Sequence, residues 1–121
     1  MSKLMSRRVG VLLSLSLGVG AAFVSGPTSA AEVWVTDYIK TVYPLSDGTF
    51  VIIFVNSQPS CTNDPTAPYF YVSPGHNNVN VDGAKALLST SLTAFALGRR
   101  ISLAFEASTS YCYVNRLQIA G

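Results

Sequence analysis

Residues 82–98 read DGAKALLSTSLTAFALG, and this stretch limits how the rest of the chain can fold. Apolar and small side chains recur at spacings of three and four, which predicts an amphipathic helix with one buried stripe. The stripe consists of Ala84, Leu87, Leu88, Ser91, Leu92 and Phe95. Asp82 is the expected N-cap and Gly98 the expected left-handed C-cap. Residues 32–81 and 99–121 read as strands and turns, so we expect the helix to cover a small β structure.

Residues 1–31 have the composition of a secretory signal peptide. A basic start is followed by an apolar run over residues 9–24 and by small residues around residue 30. This order is typical of a cleavable leader, whereas a transmembrane anchor is the alternative. The serines and glycines that interrupt the run favour the leader. We therefore expect residues 32–121 to form a single secreted or periplasmic domain, with no membrane span after cleavage.

Cleavage changes the charge of the protein. Three of the eight basic residues leave with the leader, and the five that remain stand against six acidic ones, a formal net charge of −1. Domains that bind nucleic acid carry clustered basic residues. Here only Arg99 and Arg100 are adjacent, so the sequence predicts no nucleic-acid partner.

Both cysteines, Cys61 and Cys112, lie in the mature domain. In an oxidising compartment we expect them to form a disulfide, and two free thiols or a metal site are the alternatives. The mature domain contains one histidine, His76, so no set of three or four metal ligands is visible. We therefore expect neither a metal nor a cofactor.

Five strands are predicted from β-branched and aromatic stretches between turn residues, at 32–43, 49–55, 69–73, 101–106 and 111–119. The first two should form a hairpin, and the second, apolar on both faces, should be central in the sheet. With the helix after the third strand, the chain is mainly β with one helix. This is the element order of a five-stranded OB-fold barrel, and an open sheet with a helix across one face is the alternative.

A resemblance extends this interpretation. Residues 83–88 (GAKALL) lead through Gly98-Arg99-Arg100 into Ile101-Ser102-Leu103. With the element order and one disulfide, this pattern resembles the B subunits of bacterial AB5 toxins, particularly the subtilase-cytotoxin and pertussis-like group, and is similar to small secreted bacterial proteins. The resemblance implies an OB-fold, a homo-oligomeric ring, a catalytic A-subunit partner and a cell-surface glycan as ligand.

Catalytic motifs are not visible. The chain has no Gly-x-Ser-x-Gly, no His-Glu-x-x-His and no paired carboxylates at a catalytic spacing. We therefore predict that the protein is not an enzyme and has no catalytic residues.

The candidate ligand-binding residues are Trp34, Thr36 and Tyr38, which alternate along the first strand and so share one face, with Asp37 on the other. Aromatic rings can stack on sugar rings, and neighbouring polar groups can bind sugar hydroxyls. The alternative is that Trp34 packs against the helix or a neighbouring subunit, and that the aromatic residues serve cross-strand packing. The predicted function is a glycan-binding module, with a structural or inhibitory domain that binds another protein as the alternative.

Overall fold

The computed structural model describes residues 32–121, so the expected signal peptide at 1–31 lies outside the described residues. The elements are β1 (Glu32–Pro44), β2 (Phe50–Phe54), β3 (Phe70–Val72), α1 (Val81–Leu97), β4 (Arg100–Glu106) and β5 (Val114–Ile119). The predicted order and the mainly β composition with one helix are confirmed. The last strand begins at Val114 rather than Tyr111, because residues 107–112 form a turn. No helix in the described part of the chain is long and apolar enough to cross a membrane.

The strands form one antiparallel sheet in the order β3-β2-β1-β4-β5. The predicted β1–β2 hairpin is confirmed, and β2 lies between β1 and β3, away from the sheet edges. The sheet is not closed. Its two edges approach each other at a single parallel bridge between Tyr71 and Tyr113.

A β-bulge in β1 changes which residues face outward. Ile39 pairs with Phe54 but Thr41 pairs with Ile53, so Lys40 is an extra residue with no partner of its own. Alternation resumes one residue out of step after the bulge. Val42 therefore joins the inner side and Tyr43 the outer side, the reverse of what an unbroken alternation would give.

The core lies between the inner face of the sheet and α1. Three phenylalanines meet edge to face at its centre, with ring centroids 5.2 Å apart for Phe54–Phe70 and 5.0 Å apart for Phe70–Phe105. The predicted disulfide between Cys61 and Cys112 is confirmed, with the two Cα atoms 6.0 Å apart and both residues buried.

Helix α1 is confirmed, but two details of its prediction are wrong. Its N-cap is Asn80 instead of Asp82, because the Asn80 Oδ1 atom accepts a hydrogen bond from the Gly83 N–H at 2.7 Å. Gly98 is the left-handed C-cap, as expected, with φ 64°.

The buried face of α1 is also rotated from the predicted stripe. Four members of the stripe face the core as predicted, since Ala84 and Ser91 are buried and Leu87 and Leu88 are partly buried against it. Ala94 is buried as well, whereas Leu92 and Phe95 are 46% and 48% exposed. Phenylalanines from the strands already fill the core. The helix therefore makes its closest approach through small residues, with Leu87 and Leu88 partly buried beside them.

Candidate functional site

The predicted ligand residues lie side by side on the outer face of β1, and we call Trp34, Thr36 and Tyr38 the β1 strip. Trp34 and Tyr38 are 48% and 49% exposed. Because a strand rises about 3.3 Å per residue, the two rings stand about 13 Å apart along it. The structure thus brings all three predicted residues together on one accessible surface.

Neighbouring strands supply polar groups beside each member of the β1 strip. Thr36 lies opposite Ser102 on β4, and their hydroxyl oxygens are 2.6 Å apart. The Arg116 guanidinium on β5 lies over the Trp34 ring, 5.3 Å from its centroid, and forms a 2.8 Å ion pair with Glu32. One face of the Trp34 ring is therefore occupied from within the protein, by Arg116.

Asp37 faces the other way, as predicted, and supports the β1 strip from behind. Its buried carboxylate accepts hydrogen bonds from the backbone N–H groups of Tyr38 and Asn56 at 2.7 and 2.9 Å. The side-chain amides of Asn56 and Gln58 donate two more, at 3.1 and 3.2 Å. Asp37 thus ties the segment after β2 to the strand position that carries Tyr38.

A second surface collects five of the six tyrosines. We call this set the tyrosine cluster, and it comprises Tyr43, Tyr69, Tyr71, Tyr111 and Tyr113, together with His76. The Tyr113 ring is stacked between His76, with centroids 4.3 Å apart, and Tyr111, 5.2 Å apart. Tyr71 meets Tyr111 edge to face at 6.0 Å.

The tyrosine cluster crosses several strands on the outside of the sheet. Val51 on β2 pairs with Tyr43 on one side and Tyr71 on the other, and Tyr71 bridges to Tyr113. Val51 faces outward and is completely buried, with Tyr43 and Tyr71 directly beside it on the two neighbouring strands. Tyr111 is 55% exposed and Tyr43 38% exposed, so parts of the cluster remain accessible.

Covalent and hydrogen bonds hold the loops that carry these rings. The disulfide fixes Cys112, which stands between Tyr111 and Tyr113. The Asn77 side chain donates to the Tyr113 carbonyl at 2.8 Å, and the Asn115 side chain donates to the Asn77 carbonyl at 2.7 Å. These bonds keep the loop of His76 against β5.

Two phenols of the tyrosine cluster, those of Tyr43 and Tyr113, are partly desolvated. Desolvation raises the pKa of Tyr113 above its ordinary value of 10.0, and Tyr111, Tyr71 and Glu106 raise it further. Desolvation also raises the pKa of Tyr43, with added effects from Tyr71 and Tyr69. A nearby cation would lower a phenol pKa, and among the described residues no lysine or arginine has that effect on either phenol. These phenols stay protonated at neutral pH.

The sequence pointed to the β1 strip but not to the tyrosine cluster as a unit. Its rings come from β1, from β3 and the residue before it, from the loop before α1 and from the segment before β5. The signal that could have found part of it is the alternation of Tyr69 and Tyr71, which puts both rings on one side of an extended segment.

Within residues 32–121, no three His, Cys, Asp or Glu side chains come close enough together to hold a metal ion. No protein-family profile, curated protein or solved structure matches the chain. Its function therefore has to be inferred from the geometry of these two surfaces.

Proposed function

We propose that the mature protein is a secreted, non-catalytic binding module that recognises a cell-surface glycan through the β1 strip. The observation that carries this proposal is the half-exposed pair of rings, Trp34 and Tyr38, with the Thr36–Ser102 hydroxyl pair between them. Rings offer stacking faces and hydroxyls offer both donors and acceptors, the combination that sugar recognition needs.

Charge around the β1 strip favours a glycan with acidic groups. Arg100 lies opposite Tyr38 in the β1–β4 register, and Lys40 follows two residues later on the same exposed side. Asp37 lies on the opposite face and is satisfied by its own four donors. A carboxylate or sulfate on a sugar would complement these two cations.

The test is a glycan array on purified residues 32–121, followed by affinity measurement with Tyr38→Ala. Loss of one stacking contact should weaken binding by about tenfold or more. Tyr43→Ala is the matched control, since it removes a partly exposed tyrosine from the other surface and should leave this affinity unchanged. The far-UV spectrum and the mass of each variant should equal those of the wild type. An array with no hits rejects glycan binding, and unfolding of Tyr38→Ala assigns that ring to structure.

We also propose that the sheet and helix form a partly open OB-fold barrel of the toxin B-subunit kind. Support comes from the strand order β3-β2-β1-β4-β5, from the position of α1 between β3 and β4, and from the parallel bridge where the two edges meet. A B-subunit role would include a homo-oligomeric ring and an A-subunit partner. Light scattering on the mature protein tests the ring, and a monomer mass at micromolar concentration rejects it.

Export is part of the same proposal. Cleavage near residue 31 would release the domain into the periplasm or the medium. Mass spectrometry of the exported protein should give a chain that begins close to Glu32, and retention of residues 1–31 would contradict this.

A second function is favoured by one observation, the apolar flank of α1. Leu92 and Phe95, three residues apart and so on one side of the helix, are 46% and 48% exposed. Such a flank suits contact with another protein. A structural or inhibitory domain would then bind its partner here and give no hits on the glycan array.

A further inference from the structure

The tyrosine cluster has accessible ring area that packing of the fold does not use. Val51 is completely buried beside Tyr43 and Tyr71, but Tyr111 lies in the segment before β5 and is 55% exposed. Tyr111 stacks on Tyr113 on one side, at an interplanar angle of 16°. Since its ring is already oriented by this stack, its exposed surface is a fixed platform.

The rings of the tyrosine cluster form a row across the strands. Tyr43 and Tyr71 flank the same β2 residue, so they are two strand spacings apart, about 10 Å. Tyr113 and then His76 continue the row beyond Tyr71. A ligand with several flat faces in succession would match this row better than a compact one.

Charge distinguishes this surface from the β1 strip. Glu106 is the charged group that acts on Tyr113, and tyrosines alone act on Tyr43. The Glu106 carboxylate would repel an anionic ligand at Tyr113, whereas the β1 strip presents Arg100 and Lys40. Protonated phenols can both donate and accept hydrogen bonds, as sugar hydroxyls can.

Restraint of the loops lowers the entropic cost of binding. The disulfide and the bonds of Asn77 and Asn115 fix the segments that carry Tyr113 and His76. Side chains that are ordered before binding lose less freedom on complex formation.

We propose that the tyrosine cluster is a second binding site, distinct from the β1 strip, for an uncharged oligosaccharide whose ring faces stack along Tyr111 and its neighbours. The site uses other residues than the β1 strip and takes an uncharged ligand, whereas the β1 strip takes an acidic one. It therefore stands or fails separately from the proposed function.

The experiment is titration calorimetry of residues 32–121 with neutral hexasaccharides of glucose and of N-acetylglucosamine in α and β linkages, and with an acidic trisaccharide as the comparison. At least one neutral probe should bind. Tyr111→Ala should weaken that binding by about tenfold or more, and Tyr111→Phe, which keeps the ring, by about threefold or less. Tyr38→Ala should leave it unchanged, and Tyr111→Ala should leave any binding of the acidic probe unchanged.

Three results would overturn the proposal. They are the absence of binding by every neutral probe at millimolar concentration, equal neutral-sugar binding by wild type and Tyr111→Ala, and equal loss in Tyr111→Ala and Tyr38→Ala. Thermal unfolding of each variant accompanies the titrations. If Tyr111→Ala does not fold, Tyr111→Ser and His76→Ala at the other end of the stack replace it, under the same criteria.

Discussion

Asp37 contributes to the stability of the domain and also supports the β1 strip. Its carboxylate is 6% exposed and is surrounded by four donors, two of them backbone N–H groups. Hydrogen bonds to a charged group are stronger than hydrogen bonds between neutral groups, and these four are partly shielded from water. The residue thus holds the segment after β2 in place and fixes the strand beside Tyr38.

We expect Asp37→Ala to lower the free energy of unfolding by about 1 to 3 kcal/mol, because it removes four part-buried hydrogen bonds to a carboxylate. Asp37→Asn, which keeps one acceptor, should lie between this variant and the wild type. Lys40→Ala, exposed on the same strand, is the control and should change stability by no more than about 0.5 kcal/mol. Urea unfolding measures all three. Equal stability of the Asp37→Ala and Lys40→Ala variants would mean that the Asp37 carboxylate contributes nothing to the free energy of unfolding.

At the scale of the element, α1 is defined by its two ends. Asn80 accepts from the Gly83 N–H, and Gly98 ends the helix in the left-handed region with its N–H directed at the carbonyls of Ala94 and Phe95. Asp82 lies in the first turn, and its negative charge interacts favourably with the positive end of the helix dipole. Its side chain is not the N-cap.

Asn80→Ala should therefore cost about 1 kcal/mol through loss of the cap, and Asp82→Ala should cost less. Thermal unfolding at two ionic strengths separates the two effects. Salt screens the interaction of Asp82 with the helix dipole but leaves the hydrogen bond of Asn80 in place. A larger loss of stability in Asp82→Ala than in Asn80→Ala would mean that Asp82 is the N-cap.

Two turns also depend on carboxylates. The backbone N–H of Thr49 holds the pKa of Asp47 below its ordinary value of 3.8, and the backbone N–H groups of Ala67 and Thr66 do the same for Asp64. A lowered pKa in the folded state means that the ionised form is favoured there. The contribution of each carboxylate to stability is complete above pH 3.8, and it is lost as the pH falls through the lower pKa of the folded state.

We expect the urea midpoint of the wild type to fall as the pH is lowered below about 4. The double variant Asp47→Asn, Asp64→Asn should be less stable at pH 7 and should lose less on acidification, because the two groups no longer titrate. Parallel pH curves for the two proteins would show that other groups cause the acid sensitivity.

At the scale of the whole molecule, the disulfide joins the loop before β3 to the segment before β5. It closes a loop with a sequence separation of 51, which in the chain-entropy model is worth roughly 4 kcal/mol. A domain of this size buries a modest core, so the bond is a large part of its stability. One of its two residues, Cys112, stands between Tyr111 and Tyr113 of the tyrosine cluster.

Replacing both cysteines by alanine should lower the unfolding midpoint by about 15 °C or more. Wild-type protein in reducing buffer should behave like the double variant, and Ser60→Ala, in the same loop, should behave like the oxidised wild type. Titration of two free thiols in native oxidised protein would refute the disulfide.

The sequence by itself determined the local elements and the pairing of the cysteines. A helix period of about 3.6 and a strand period of two are properties of neighbouring residues, so the helix, the five strands and the exposed face of Trp34, Thr36 and Tyr38 could be predicted. The disulfide followed from the expected compartment and from a count of two cysteines. The N-cap was misplaced because Asn80 and Asp82 are both good caps two residues apart.

Only the tertiary structure decided which side chains meet. The bulge at Lys40 turns Tyr43 outward, and strand register then places it in one row with Tyr71 and Tyr113. The buried face of α1 was also decided there, since the phenylalanines of the strands had filled the core. Register and bulges depend on hydrogen bonds between residues far apart in the chain, and a one-residue shift reverses every side chain beyond it. Local periodicity therefore could not reveal the tyrosine cluster.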